Sequence, residues 1–318
     1  MYRDMEVRNN NIGTAIQYFR ESYHISQSKL CKGICSVSTL SRIEAGERDV
    51  DALILETLLE RLGKFPYHFE LILTDFDYNA YMFREEIKKK INEKDIKGAH
   101  ELILEYDELT AGKGSPHKQF TMVSRALLNE LEGGNPENTI DLLMKAISCT
   151  VPDFDTNEIT DYYLSISELN IILDILERMI ALGMNDRADR ILNQVLDYLS
   201  WPSQVSQDRK IYIKVSVIAS KFLMKQNKID RALEICDSGL KMYKGSSKMD
   251  YLGKLAYIKA QLLEKKYSKV PEWEKDIRNE CLKLYLEAYY IFEFCGDYDE
   301  SENIRKHLRE EYKWEDID

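Results

Sequence analysis

The sequence predicts an all-α protein with a small N-terminal domain followed by an array of helical hairpins. Glycine (14) and proline (6) are scarce among the 318 residues, which disfavours short strands joined by tight turns. Apolar residues make up 44% of the chain and recur at helical spacing. The length also exceeds that of one typical domain. We therefore expect an N-terminal domain over residues 1–72 and a repeat domain over residues 73–318.

Composition excludes several classes of protein. No apolar run of about 18 residues occurs, and acidic residues stand where a signal peptide would be basic and apolar. The sequence thus predicts a cytoplasmic protein without a membrane partner. Six cysteines form no CxxC pair, and Cys31, Cys35 and His24 do not complete a familiar zinc ligand set. We expect no metal and no cofactor.

Charge is distributed unevenly along the chain. Residues 1–48 hold seven basic and five acidic residues, whereas the rest of the chain holds 37 basic and 50 acidic residues. A slightly positive N-terminal segment on an acidic body fits a protein whose N-terminal domain alone meets a polyanion. The net charge of residues 1–48 is only about +2, so this asymmetry alone is weak support for DNA binding.

The first two predicted helices are short. Apolar residues at helical spacing predict an amphipathic helix over residues 12–23. Ser26 is the predicted N-cap of a second helix over residues 27–32, which ends at Gly33.

Two further helices follow. Ser36 opens a third helix over residues 37–44, and Gly46 closes it because glycine tolerates the left-handed conformation. A fourth helix is predicted over residues 50–62, with a leucine-rich buried face and Gly63 after it.

The second and third helices, joined by a tight turn, have the arrangement of a helix-turn-helix. We expect Leu40 and Ile43 of the third helix to pack against Leu30 and Ile16. The face of the third helix opposite to Leu40 and Ile43 carries serines, and an ordinary solvent-exposed helix remains the alternative interpretation of it.

That opposite face is polar. Ser38, Ser41 and Arg42 form a stripe suited to a major groove, because hydroxyls reach base edges and Arg can bind guanine or a phosphate. Val37 fits either a thymine methyl group or a wedge between the two helices. The free amides at Ser26 and Gln27 can meet a phosphate. The predicted DNA-binding residues are Ser26, Gln27, Ser36, Val37, Ser38, Ser41, Arg42 and Arg48.

The segment 30–48 resembles the DNA-binding domain of the Rgg-like peptide-pheromone regulators, which belong to the RRNPP group of bacterial transcription factors. Its Ser41-Arg42-Ile43-Glu44-Ala45-Gly46-Glu47 block matches their Ser-Arg-Phe-Glu-x-Gly-Glu pattern, with Ile43 in place of the common Phe. The resemblance covers about 55 residues and implies a tetratricopeptide-like (TPR-like) C-terminal domain that binds a short linear signalling peptide.

The remainder of the chain repeats a pattern. A helix-breaking segment is followed by a predicted helix that has a small or apolar residue near its start. These positions are Ala99, Ile140, Ala188, Ala232 and Ser301. Their partner helices are predicted over residues 79–91, 118–131, 158–182, 209–225 and 277–295, with a degenerate hairpin at 249–264 and 273–294. Such hairpins stack into an α-solenoid with a concave groove. A plain helical bundle is the alternative.

An extended peptide in such a groove would meet carboxamides that pair with peptide units, aromatic pockets and a lysine for its terminal carboxylate. Each candidate could instead be an ordinary core, cap or surface residue. The predicted peptide-binding residues are Asn129, Tyr162, Tyr163, Asn170, Tyr212, Lys214, Lys221 and Tyr257.

These observations favour a transcriptional regulator in quorum sensing, a homodimer on a near-palindromic double-stranded DNA operator, controlled by a signalling peptide. One alternative is a TPR-type adaptor that sequesters a protein partner; another is an orphan helix-turn-helix regulator without a peptide ligand. No catalytic motif is present, so we expect no enzyme activity.

Overall fold

The computed structural model describes residues 12–64, 74–200, 209–243, 251–274 and 277–314. Regular structure in these ranges is entirely helical, which confirms the predicted class. The chain divides into two compact units, residues 1–207 and 208–318. The predicted domain boundary between residues 72 and 73 lies outside the described residues.

The described ranges contain neither a candidate membrane span nor a candidate metal-binding cluster. No helix there has both the length and the apolar character needed to cross a membrane. Within the same ranges, no group of three or more His, Cys, Asp or Glu side chains could hold a metal ion.

The first unit begins with four short helices. They are α1 (Ile12–Ser22), α2 (Gln27–Cys31), α3 (Val37–Glu44) and α4 (Ala52–Arg61). Ser26 and Ser36 cap α2 and α3 as predicted, accepting hydrogen bonds from the backbone amides of Lys29 and Thr39. The fourth helix is shorter than predicted because Asp51 caps it by accepting from the amide of Ile54.

One apolar cluster holds these helices together. Ile16, Leu30, Leu40 and Ile43 all belong to it and are at most 4% exposed, so the predicted packing of α3 on α1 and α2 is confirmed. We call the four helices the head.

Three antiparallel hairpins complete the first unit. They are α5 (Asp75–Asn92) with α6 (Ile96–Leu109), α7 (Ser115–Leu131) with α8 (Pro136–Thr150), and α9 (Ile166–Ala181) with α10 (Asn185–Ser200). Ala99, Ile140 and Ala188 are buried, as expected where two helices approach closely. This is a TPR-like arrangement.

The first helix of the third hairpin is shorter than the predicted segment 158–182, and this prediction was wrong at its start. A 3₁₀ turn spans Ile159–Asp161, and α9 begins only after Ser165. Ser165 accepts from the Glu168 amide while the Glu168 carboxylate accepts from the Ser165 amide. This capping box fixes the start of α9 at Ile166, eight residues later than the predicted start at residue 158.

The described part of the second unit has five α-helices. They are α11 (Arg209–Lys225), α12 (Ile229–Tyr243), α13 (Leu252–Tyr267), α14 (Ile277–Cys295) and α15 (Tyr298–Tyr312). The degenerate hairpin exists as α13 and α14, although a 3₁₀ turn at Pro271–Glu274 delays the start of α14 to Ile277. Helix α15 packs on α14, and Ala232 and Ser301 are buried as expected.

A polar group joins three helices of the second unit. Glu264 of α13 accepts hydrogen bonds from the hydroxyls of Tyr285 and Tyr312 at 2.7 and 3.0 Å, and lies 3.1 Å from Nε2 of His307. Burial alone would raise the pKa of Glu264, but these hydrogen bonds hold it below its ordinary value. The hydrogen bond to Glu264 raises the pKa of His307.

The hydrogen-bonded pair of His307 and Glu264 makes the free energy of unfolding of the second unit depend on pH. A raised folded pKa means that the His307 contribution is complete below the unfolded pKa of about 6.5 and is lost as pH rises through the folded value. We expect the free energy of unfolding to fall by up to about 1 kcal/mol across that rise, since the pair is partly exposed. Urea unfolding at a series of pH values, for the wild type and for His307→Gln, checks the prediction. The variant should show a smaller dependence of the free energy of unfolding on pH.

Candidate nucleic-acid interface and ligand cavity

Helix α3 presents the predicted polar stripe to solvent. Ser38, Ser41 and Arg42 are exposed, and Val37 is 45% exposed at the N-terminal end of the same helix. The exposure of Val37 argues against its role as a wedge between α2 and α3. The head therefore offers a short helix with hydroxyls and one guanidinium on its outer face, of a width that a major groove admits.

The other predicted DNA-binding residues surround this stripe. Ser26 and Ser36 are exposed, but their hydroxyls already accept the capping hydrogen bonds of α2 and α3. Arg48 is exposed beyond α3, with a guanidinium nitrogen 3.5 Å from the hydroxyl of Thr39. Gln27 differs, because its side chain is half-buried and donates to Glu44 at 2.7 Å. Only its backbone remains a candidate contact.

A buried ion pair orients the outer face of α3. Arg20 of α1 donates from Nε and Nη2 to the two carboxylate oxygens of Glu44, at 2.6 and 2.8 Å. Sequence reasoning placed Glu44 in the matching motif but missed this role. The available signal was its position, because Glu44 follows Leu40 and Ile43 at the spacing of the buried face.

The C-terminal end of α4 fixes the head to the hairpins. Arg61 forms a buried ion pair with Glu168 of α9, with Nη2 and Oε1 2.6 Å apart. Its guanidinium also donates to the carbonyls of Leu30 and Lys32 in the head and of Thr150 in α8, at 2.8–3.0 Å. Arg61 and Glu168 are fully buried, so one guanidinium links three parts of the first unit.

The N-terminal end of α4 is attached as well. Asp77 of α5 accepts from the amide of Ala52 at 2.8 Å, and Asp51 lies 3.1 Å from Nε2 of buried His117. The other ring nitrogen of His117 is 2.6 Å from the Tyr106 hydroxyl. Polar side chains of the hairpins thus hold both ends of α4.

The predicted peptide-binding residues of the first unit do not form one surface. Asn129 donates to Thr139 within its own hairpin. Tyr162 closes the loop before α9, since its hydroxyl accepts from the Asp155 amide and donates to the Asp153 carbonyl. Tyr163 packs against the apolar cluster of the head.

Tyr162 and Tyr163 line a cavity of about 360 Å³ in the first unit. Asn170 lines a separate cavity of about 620 Å³ in the same unit. The residues that surround this cavity come from four helices, α4, α5, α7 and α9. Leu53, predicted as a buried residue of the head, is one of them and is only half-buried.

The remaining candidates lie in the second unit. Tyr212 and Lys214 are half-buried on α11, and Lys221 is exposed near the end of the same helix. Tyr257 packs against the apolar cluster of α13, α14 and α15, with its ring 5.9 Å from that of Tyr285. Tyr257 is half-buried.

Comparison with known families covers both parts of the chain. The RNPP family C-terminal domain matches residues 153–310, and a helix-turn-helix family matches residues 16–66. The chain carries an RNPP family C-terminal domain. No curated protein matches the sequence significantly.

Solved structures of PlcR share the fold, and that of Rgg2 is less similar. PlcR of Bacillus thuringiensis in complex with the peptide PapR7 and DNA is 19% identical, with a TM-score of 0.56 over 92% of this chain and 98% of that chain. Its apo form is 17% identical, with the same TM-score over 93% and 98%. The SHP pheromone receptor Rgg2 of Streptococcus dysgalactiae is 14% identical over 94% and 99%, at a TM-score of only 0.46.

Proposed function

We propose that this protein is a DNA-binding transcriptional regulator whose activity is controlled by a short signalling peptide. The observation that carries the proposal is the exposed stripe of Ser38, Ser41 and Arg42 on a helix fixed from behind by the Arg20–Glu44 ion pair. A rigid helix with hydroxyls and a guanidinium on its outer face reads base edges in a major groove. Such a regulator acts in the cytoplasm.

The peptide part of the proposal rests on the RNPP family C-terminal domain and on the cavity that Asn170 lines. The RNPP C-terminal domain covers residues 153–310, and PlcR, which shares the fold, has been solved with a peptide and DNA. In this chain that cavity, of about 620 Å³, combines apolar walls with carboxylates and amides, the surface that a peptide side chain and its backbone require. A bound peptide changes DNA binding only if it binds one arrangement of the protein more tightly than another.

We further propose that the protein acts as a homodimer on a near-palindromic operator. One α3 helix covers only a few base pairs, so useful specificity requires two copies in successive major grooves, about one helical turn apart. Sedimentation of the protein with and without operator DNA tests the stoichiometry. A complex of one protein chain with one operator would contradict the proposed homodimer but not the proposed DNA binding.

Replacing Arg42 with alanine should weaken operator binding by about 1–3 kcal/mol if its guanidinium binds a guanine. Fluorescence anisotropy at fixed salt concentration, with an operator obtained by selection from random DNA, measures the effect. Arg187→Ala is the matched control, because Arg187 is an exposed arginine on α10, outside the head. Equal affinities of the two variants would remove Arg42 from the interface.

A TPR-type adaptor that sequesters a protein partner is the second candidate. The exposed stripe of α3 argues against it, since an adaptor has no need of a fixed helix with this pattern. Failure of the wild type to enrich any DNA sequence during selection would favour the adaptor, and an operator without any peptide response would favour an orphan regulator.

A further inference from the structure

One wall of the cavity in the first unit is the DNA-binding head itself. Helix α4 contributes Leu53, Glu56, Thr57 and Glu60 to the lining of this space of about 620 Å³. The opposite walls come from α5, α7 and α9. A ligand in the cavity therefore touches the head directly, without an intervening element.

The cavity is amphipathic. Its apolar side is built by α7 and α9, with Phe120, Val123, Leu127 and Ile171. This side would cover a stem of several methylene groups and exclude water from it. A ligand that fits must carry an apolar segment.

The polar side of the cavity has a surplus of carboxylates. Four acidic residues line it against two basic ones, and both basic residues already have acidic neighbours. Arg84 lies 3.8 Å from Glu56, and Lys88 lies 2.7 Å from Glu85. Glu60 accepts from backbone amides at the start of α9, that of Ile166 at 3.0 Å and that of Ser167. The surplus favours a cationic ligand.

We propose that this cavity binds a lysine side chain of the signalling peptide, with its ammonium group at Glu60 and its methylene stem along the apolar wall. Lysine combines a four-carbon stem with a compact charge that can donate three hydrogen bonds, which matches both sides of the cavity. The identification of the ligand as a peptide rests on the function proposed above. The cation preference is a property of the cavity alone.

The protonation of Glu60 links this binding to pH. Burial, together with the charge of Glu56, raises the pKa of Glu60 to about 8, and an ammonium group at the carboxylate would lower it again. Binding near neutral pH thus releases a proton from Glu60. The charges of Glu56 and Glu168 act on the Glu60 carboxylate. The other titratable groups that line the cavity are Tyr81, Arg84, Glu85 and Lys88 on α5 and Asp174 on α9.

The test uses the full chain and three small probes with NMR detection. Nα-acetyl-lysine methylamide presents the side chain alone, its norleucine counterpart is the neutral analogue, and alanine methylamide with a free amine represents a peptide N-terminus. We expect the lysine probe to bind about tenfold more tightly than either of the others at pH 8.5. Its affinity should fall by up to about tenfold for each pH unit below 8, because Glu60 must lose its proton.

Glu60→Gln supplies the decisive variant, since glutamine keeps an acceptor for the Ile166 amide and resembles the protonated acid. It should remove both the lysine preference and the pH dependence, while Glu105→Gln, an exposed position on α6, should change neither. Urea unfolding verifies that both variants fold.

Three results would overturn the assignment: equal binding of the lysine and norleucine probes, tighter binding of the free amine, or no binding by any probe. Operator binding by the same protein preparation separates such a failure from a failure of the proposed function. A chain that binds DNA but not the lysine probe remains a regulator, with its ligand recognised differently.

Discussion

Replacing Arg61 with methionine should lower the free energy of unfolding of the first unit by about 3–5 kcal/mol. Methionine fills part of the space of the arginine stem but leaves the Glu168 carboxylate buried without its partner. The carbonyls of Leu30, Lys32 and Thr150 lose their donor at the same time. Burial alone would raise the pKa of Glu168, and Arg61 holds it below its ordinary value, so the variant should also take up a proton.

Urea unfolding followed by circular dichroism measures this loss. Arg190→Met is the matched control, because Arg190 is exposed on α10, and its effect should stay within about 0.5 kcal/mol. A double variant that adds Glu168→Gln should recover part of the loss, since the unpaired charge is removed. If Arg61→Met and Arg190→Met unfold alike, the buried ion pair does not hold the head to the hairpins.

The buried position of Arg61 also constrains how a ligand could act. With both ends of α4 held by polar groups of α5, α8 and α9, tilting the head alone would require breaking several buried hydrogen bonds. A ligand that contacts α4 from the cavity can act on this helix without such a tilt.

Much of the fold could be predicted because local rules agree with the tertiary structure. Ser26 and Ser36 start α2 and α3 where capping residues precede apolar spacing. The buried residues Ala99, Ala188 and Ala232 mark the close approach of paired helices. The start of α9 was placed too early because Ile159 and Leu164 continue the apolar pattern although the capping box begins the helix later.

The site was predictable only in part. The exposed stripe of α3 follows from helical periodicity alone, so Ser38, Ser41 and Arg42 could be found. The Arg61–Glu168 pair joins residues 107 positions apart, and no spacing rule reports such a contact. The contacts of the predicted groove tyrosines are also invisible to spacing rules, since Tyr162 hydrogen-bonds within the loop before α9 and Tyr257 packs against the apolar cluster of α13, α14 and α15.

Gly33→Ala should destabilise the first unit by about 2–5 kcal/mol through two separable effects. Gly33 has φ +76°, a conformation that costs an L-residue about 1–2 kcal/mol. A Cβ atom at this position would also lie 2.0 Å from the carbonyl oxygen of Thr150 and 2.5 Å from Cδ of Pro152, so the turn between α2 and α3 could no longer rest against the end of α8.

Gly133→Ala isolates the effect of the backbone conformation, because Gly133 has φ +78° and open space around it. Urea unfolding of both variants gives the difference, about 1–3 kcal/mol, as the cost of the overlap between head and hairpin. Equal losses would mean that the α2–α3 turn does not pack against α8 in solution.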